Sequence, residues 1–147
     1  MLSIEFTQGG WFDGLPDNQS QELKKMLDFG KTEEQIAELF LSSPGADSTS
    51  GFGASGPNQS FFLNVKQEFT EFICGNPKYE EERKQVEAIW KEHGKTVVVS
   101  MISAFIAVTV GLTVAALTPV VALLLALVSK VGVNAFCTTC ADVSSEA

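Results

Sequence analysis

The spacing of apolar positions predicts an all-α chain, with four short amphipathic helices followed by a long apolar helical pair. Leu23, Met26 and Leu27 recur at helical spacing, which makes one face of a first helix. Asn18 with Gln21 three residues on reads as its start, and Gly30 as a left-handed stop. Thr32 and Gln35 repeat that start signal before Ile36, Leu39 and Phe40, and the second helix reaches Leu41. Phe62, Val65, Phe69, Phe72 and Ile73 fall on one face of a third helix from Ser60 to Cys74, ended by Gly75. Asn76-Pro77 then supplies the cap and first position of a fourth, which runs to His93 with Gly94 as its stop. Its stripe is Tyr79, Val86, Ile89 and Trp90.

Ahead of these helices, Leu2, Ile4 and Phe6 alternate with polar residues, the pattern of a short strand or extended arm. Gly9-Gly10 ends it. Trp11-Phe12, set before the turn dipeptide Asp13-Gly14, reads as an aromatic plug for a hydrophobic surface.

The chain is organised around Thr96 to Ser129, which holds 34 residues without a charge. A bilayer core of about 30 Å is crossed by about 20 apolar helical residues. Val97 to Leu117 meets that length. Pro119 is expected to break the pair, because proline removes a helical donor and disfavours helix at Thr118 before it. The apolar run after it is too short to span alone, so a second helix is half-inserted, re-entrant or folded back. The competing reading buries the same hairpin at the centre of a soluble bundle, wrapped by Trp11, Phe62, Phe69, Phe72 and Trp90.

Small residues at Ser100, Ala104, Ala107, Gly111 and Ala115 follow helical spacing and form a candidate helix-association face for a homo-oligomer. Met101, Phe105, Val108 and Leu112 form a bulkier one. Trp90 and Lys95, just before the span, suit an anchor at the headgroup level.

The domain boundaries follow these patterns. Residues 1–95 are an acidic helical domain with a Gly/Ser-rich loop at 42–60, residues 96–137 the apolar hairpin, and residues 138–147 a short polar tail. The net charge of −8 is nearly all in residues 1–95, with 16 acids against 9 bases. An acidic surface disfavours nucleic acid, which is held by lysine and arginine, and disfavours an electrostatic hold on anionic lipid. The N-terminus lacks a cationic region followed by an apolar run, so no cleavable signal is expected. Arg83, Lys84, Lys91 and Lys95 precede the span against Lys130 after it, which places the N-terminal domain in the cytoplasm by the positive-inside rule.

Candidate chemistry is thin. Gly51-Phe52-Gly53-Ala54-Ser55-Gly56 spells G-x-G-x-x-G, but no strand precedes it and Pro57 follows. The first two helices resemble a helix-turn-helix in spacing only, since the second shows acids outward. His93, the one histidine, lies in a last helical turn where a cation suits the dipole. Cys74, Cys137 and Cys140 are too few for a disulfide framework and fit a reducing compartment. Cys137-Thr-Thr-Cys140 lacks the strand–helix context of a redox motif. A zinc site would need Cys74 and His93 as further ligands.

The expectation is therefore non-enzymatic, with no cofactor and no metal. It is a small membrane-anchored interaction or effector protein that binds a protein partner through its acidic domain. Ser100, Thr109 and Thr113 among apolar residues motivate a membrane-disrupting version. The alternative is a cytoplasmic soluble adaptor whose hairpin is buried in its own core or in a complex.

Overall fold

A computed structural model describes residues 2–7, 9–42 and 58–138. Among them the chain forms α1 (Asp17–Asp28), α2 (Glu33–Ser42), α3 (Asn58–Cys74), a 3-10 turn (Pro77–Tyr79), α4 (Glu80–His93), α5 (Lys95–Val110) and α6 (Val114–Val131). A short helix, α7 (133–138), follows. No strand occurs among the described residues. Leu2, Ile4 and Phe6 form an extended arm instead, whose link to α3 is the Leu2 N–H donating to the Ile73 carbonyl at 2.8 Å. No neighbouring strand offers a ladder, so the alternation shows only as deeper burial of the apolar positions.

The predicted caps form where a side chain can reach back. The Gln35 N–H donates to Thr32 Oγ1 at 3.1 Å, and the Thr32 N–H donates to Gln35 Oε1 at 2.9 Å. This reciprocal pair satisfies two donors that a helix start leaves free. Asn76 Oδ1 accepts from the Lys78 N–H at 2.9 Å, and Pro77 opens the turn into α4. The first helix differs from expectation. It starts at Asp17 after an extended Pro16, and Asn18 lies inside it. Asp17 in the first turn faces the positive end of the helix dipole.

The apolar pair is broken at Gly111 and not at Pro119. Gly111 adopts φ 79° and ψ 25°, and its N–H donates to the Ala107 carbonyl at 2.9 Å. That left-handed cap costs little without a Cβ. Thr113 then caps α6 by accepting from the Ala116 N–H at 3.2 Å. Pro119 sits inside α6, one turn after its start. There its missing N–H costs a single helical bond, and its ring is buried in the core. The uninterrupted span from Val97 to Leu117 is therefore replaced by two helices. Among the described residues one helix, Val114–Val131, is long and apolar enough to cross a membrane, and half of it is buried inside the bundle.

α6 is the centre of the bundle. It packs on α2 and α5 and also meets α3. Val120, Val121, Ala122, Leu123, Leu124 and Leu125 are all fully buried. Each large aliphatic side chain so removed from water contributes about 1.5–3 kcal/mol. One core joins these residues to Leu23, Ile36, Phe69, Phe72 and Val86 from before Lys95.

The cysteines depart from expectation. Cys74 at the end of α3 and Cys137 on α7 form a disulfide, with Cα atoms 5.5 Å apart. They lie 63 residues apart in sequence, so the count alone could not pair them. Phe69 and Phe136 meet edge to face at 5.9 Å beside the bridge.

Candidate functional site

The base of the α5–α6 hairpin is built from four elements. α4 ends at Trp90 and His93, Gly94 joins it to α5, and α5 opens with Lys95 and Thr96. The N-terminal arm crosses this joint. Trp11 is 2% exposed and stacks on Trp90, with ring centroids 6.2 Å apart. Its Nε1–H donates to Ser129 Oγ on α6 at 2.8 Å and to the Thr7 carbonyl at 3.0 Å. The expected aromatic plug is thus seated on the hairpin base.

Lys95 is held by the same arm. Its Nζ donates to the Thr7 carbonyl at 2.7 Å, to Thr7 Oγ1 at 2.8 Å and to the Gly9 carbonyl. The ammonium also lies 4.7 Å from the centre of the Trp11 ring, within cation–π range. Burial pushes its pKa below the ordinary lysine value, and the Asp13 carboxylate opposes that shift. The two candidate anchors, Trp90 and Lys95, are therefore brought together, but under the arm.

The small-residue face is divided between two helices. Ser100 is exposed on α5, Ala104 half-buried and Ala107 buried. Gly111 lies in the link and Ala115 is exposed at the start of α6. Because α5 stops at Val110, the five positions do not share one helix. The exposed part of α5 carries Thr96, Val97, Ser100, Val108 and Thr109, with Val108 at 87% exposure. No Asp, Glu, Lys or Arg occurs from Thr96 to Val110. Phe105 is turned toward the core, stacked on Phe72 at 6.0 Å.

A polar network meets the last turn of α5 at Thr109. The Tyr79 hydroxyl donates to Glu68 Oε1 at 2.6 Å and lies 3.3 Å from Thr109 Oγ1. Burial, with the Glu68 hydrogen bond adding to it, pushes the Tyr79 pKa well above its ordinary value. Lys78 Nζ reaches the same Glu68 oxygen at 2.7 Å, and that bond raises the lysine pKa. Arg83 is buried, and its guanidinium donates to the Phe72 carbonyl at 3.1 Å and to the Glu71 carbonyl at 3.4 Å, closing the end of α3. Periodicity singled out Tyr79 as part of an apolar stripe but gave no signal for Glu68, Lys78 or Arg83. Arg83 follows Tyr79 by four positions and precedes Val86 by three, so it falls on the buried stripe of α4, a place where an arginine needs a carbonyl to bond.

An open groove of about 390 Å³ lies beside this network, lined by Gly75, Pro77, Glu80, Arg83, Lys84 and Glu87. Across it the Ser3 N–H donates to Glu87 Oε2 at 2.7 Å.

Thr109 and Thr113 have structural employment, in the Tyr79 contact and the α6 cap. Ser100 Oγ reaches only the Thr96 carbonyl of its own helix, at 3.4 Å. His93 is half exposed beside Glu92. The disulfide removes Cys74 and Cys137 as thiolate ligands for zinc and takes Cys137 out of the C-x-x-C pair. Among the described residues, no three His, Cys, Asp or Glu side chains gather as a metal site. Cys140 and Gly51 to Gly56 lie outside the described residues. Compared with known proteins, the chain matches no family model, no curated protein and no solved structure.

Proposed function

We propose that the protein is a non-enzymatic, membrane-associating effector whose working element is the α5–α6 hairpin. The observation that carries this reading is the outer face of α5. A helix half exposed on a soluble bundle ordinarily turns charged residues to water. Here the exposed positions are Val97, Ser100, Val108 and Thr109, and the helix has no charge after Lys95. Such a face suits a lipid surface, where uncharged side chains meet hydrocarbon. The net charge of −8 argues that attachment is hydrophobic.

The paired cysteines support an oxidising compartment for the bundle, against the cytoplasmic placement that the basic flank predicts. Self-association through Ser100 and Ala104 fits the same surface. A protein partner would meet the acidic side of the domain, where Glu80 and Glu81 are well exposed.

Flotation with phosphatidylcholine vesicles tests the reading. The protein is expected to float with them and to stay bound in about 1 M salt, where charge attraction is screened within about 3 Å. Val108→Asp should lose flotation while keeping its melting temperature, because Val108 is 87% exposed. A wild-type protein that neither floats nor releases entrapped dye at any concentration would sink the proposal.

A second reading is favoured by the complete burial of Val120 to Leu125 within the chain's own helices. On that view the protein is a soluble accessory domain, and the α5 face docks on a partner protein. A monodisperse protein indifferent to vesicles is its expected behaviour.

A further inference from the structure

The arm touches the hairpin where the hairpin would have to move. α4 and α5 are joined by Gly94 alone, at φ 74°, and a Cβ there would meet nothing within 4 Å. It is a one-residue link with open space beside it. The start of the arm is tied to α3 and α4, by Leu2 to Ile73 and Ser3 to Glu87, but from Thr7 to Gly14 its contacts gather about this link. Trp11 stacks on Trp90 before the link and bonds Ser129 on α6. Thr7 and Gly9 hold Lys95 directly after it. Gly14 lies so close to Thr96 that an added Cβ would come within 2.5 Å of its Cγ2. The arm is thus fitted to the first turn of α5.

We propose that the arm is a latch, with Trp11, Thr7, Gly9 and Gly14 closing over the Gly94 hinge and keeping α5–α6 folded into the bundle. The device is autoinhibitory. In the latched state the indole of Trp90 is stacked on Trp11 and the Lys95 ammonium is saturated by arm oxygens. The arm thus covers part of both, and each is half-buried. Unlatching frees both at once and leaves the hinge to turn. That the released hairpin then enters lipid rests on the membrane reading above, but the arm's grip on the hinge does not.

Trp11→Ala would also open the core, so two gentler variants carry the test. Gly14→Ala places a methyl against Thr96, and Gly14 has ordinary backbone geometry, so no φ strain confuses the result. Lys95→Met keeps the aliphatic stem and removes the ammonium. The chain's two tryptophans are the stacked pair itself, so intrinsic fluorescence reports the latch directly. Emission should shift to the red in both variants. Hydrogen exchange of α5 and α6 amides should accelerate about tenfold or more, as expected for losing a charge-assisted contact cluster, while α3 amides keep their rates. Phosphatidylcholine vesicle binding should rise by a similar factor.

Unshifted emission in both variants would overturn the latch, as would shifted emission with α5 and α6 exchange unchanged. Equal acceleration in α3 would overturn it too, since the arm would then be an ordinary part of the core. Faster exchange in α5 and α6 without added vesicle binding would uphold the latch and remove the membrane reading instead.

Discussion

The Trp11 indole lies stacked on Trp90 at 6.2 Å and donates its Nε1–H to Ser129, so one arm residue ties α4 to α6. A ring that is 2% exposed and hydrogen-bonded both stabilises and orients what it touches. Trp11→Ala is expected to cost about 3–5 kcal/mol in urea unfolding, and Trp11→Phe about 1–2, because the phenyl ring keeps most of the contact but not the bond. A Trp11→Phe variant as stable as the wild type would mean that the Nε1–H bonds to Ser129 and Thr7 contribute nothing.

The centre of the bundle gives a second expectation. Leu124 is fully buried on α6, and Leu124→Ala should lower stability by about 2–5 kcal/mol. Leu123→Asp places a charge in the same core and should leave no cooperative melt in detergent-free buffer. If Leu123→Asp kept the wild-type melting temperature by circular dichroism, α6 would not be a core helix.

The Cys74–Cys137 bridge closes a loop of 63 residues that contains α4, α5 and α6. Loop-closure entropy puts its contribution at about 4 kcal/mol. Cys74→Ser with Cys137→Ser should lower the unfolding free energy by that order. Peptide mapping without reduction should recover the Cys74–Cys137 linkage. A map that joins Cys137 to Cys140 would contradict the structure.

Tyr79 makes stability fall in alkali. Its ordinary pKa is 10.0, and burial with the Glu68 hydrogen bond raises it in the folded state. The folded chain therefore holds the phenolic proton more tightly than the unfolded chain. That stabilisation is fully present below pH 10 and is lost as the pH rises beyond it toward the folded-state value. Urea midpoints measured upward from pH 9 should decline more steeply for the wild type than for Tyr79→Phe. Parallel curves would show that Tyr79 does not titrate differently in the two states.

Local chemistry was legible in the sequence wherever the partner is a near neighbour. The Thr32–Gln35 capping box, the Asn76 cap and the apolar faces of α3 and α4 needed only residues within a few positions. Pro119 misled because proline's local cost is large in mid-helix but small one turn from the start, and the start was set by Gly111 and Thr113. Periodicity does not register such a shift inside an unbroken apolar run.

By itself, the sequence determined the all-α class, the four amphipathic helices and the uncharged stretch from Thr96 to Ser129. These follow from helical spacing and side-chain polarity, which every residue carries with it. Only the tertiary structure decided that Trp11 covers Trp90, that Thr7 holds Lys95, that Cys74 meets Cys137 and that Glu68 meets Tyr79. Each of those pairs joins separate elements of the fold, and their energies depend on distances that exist only once α6 has drawn the other helices around itself.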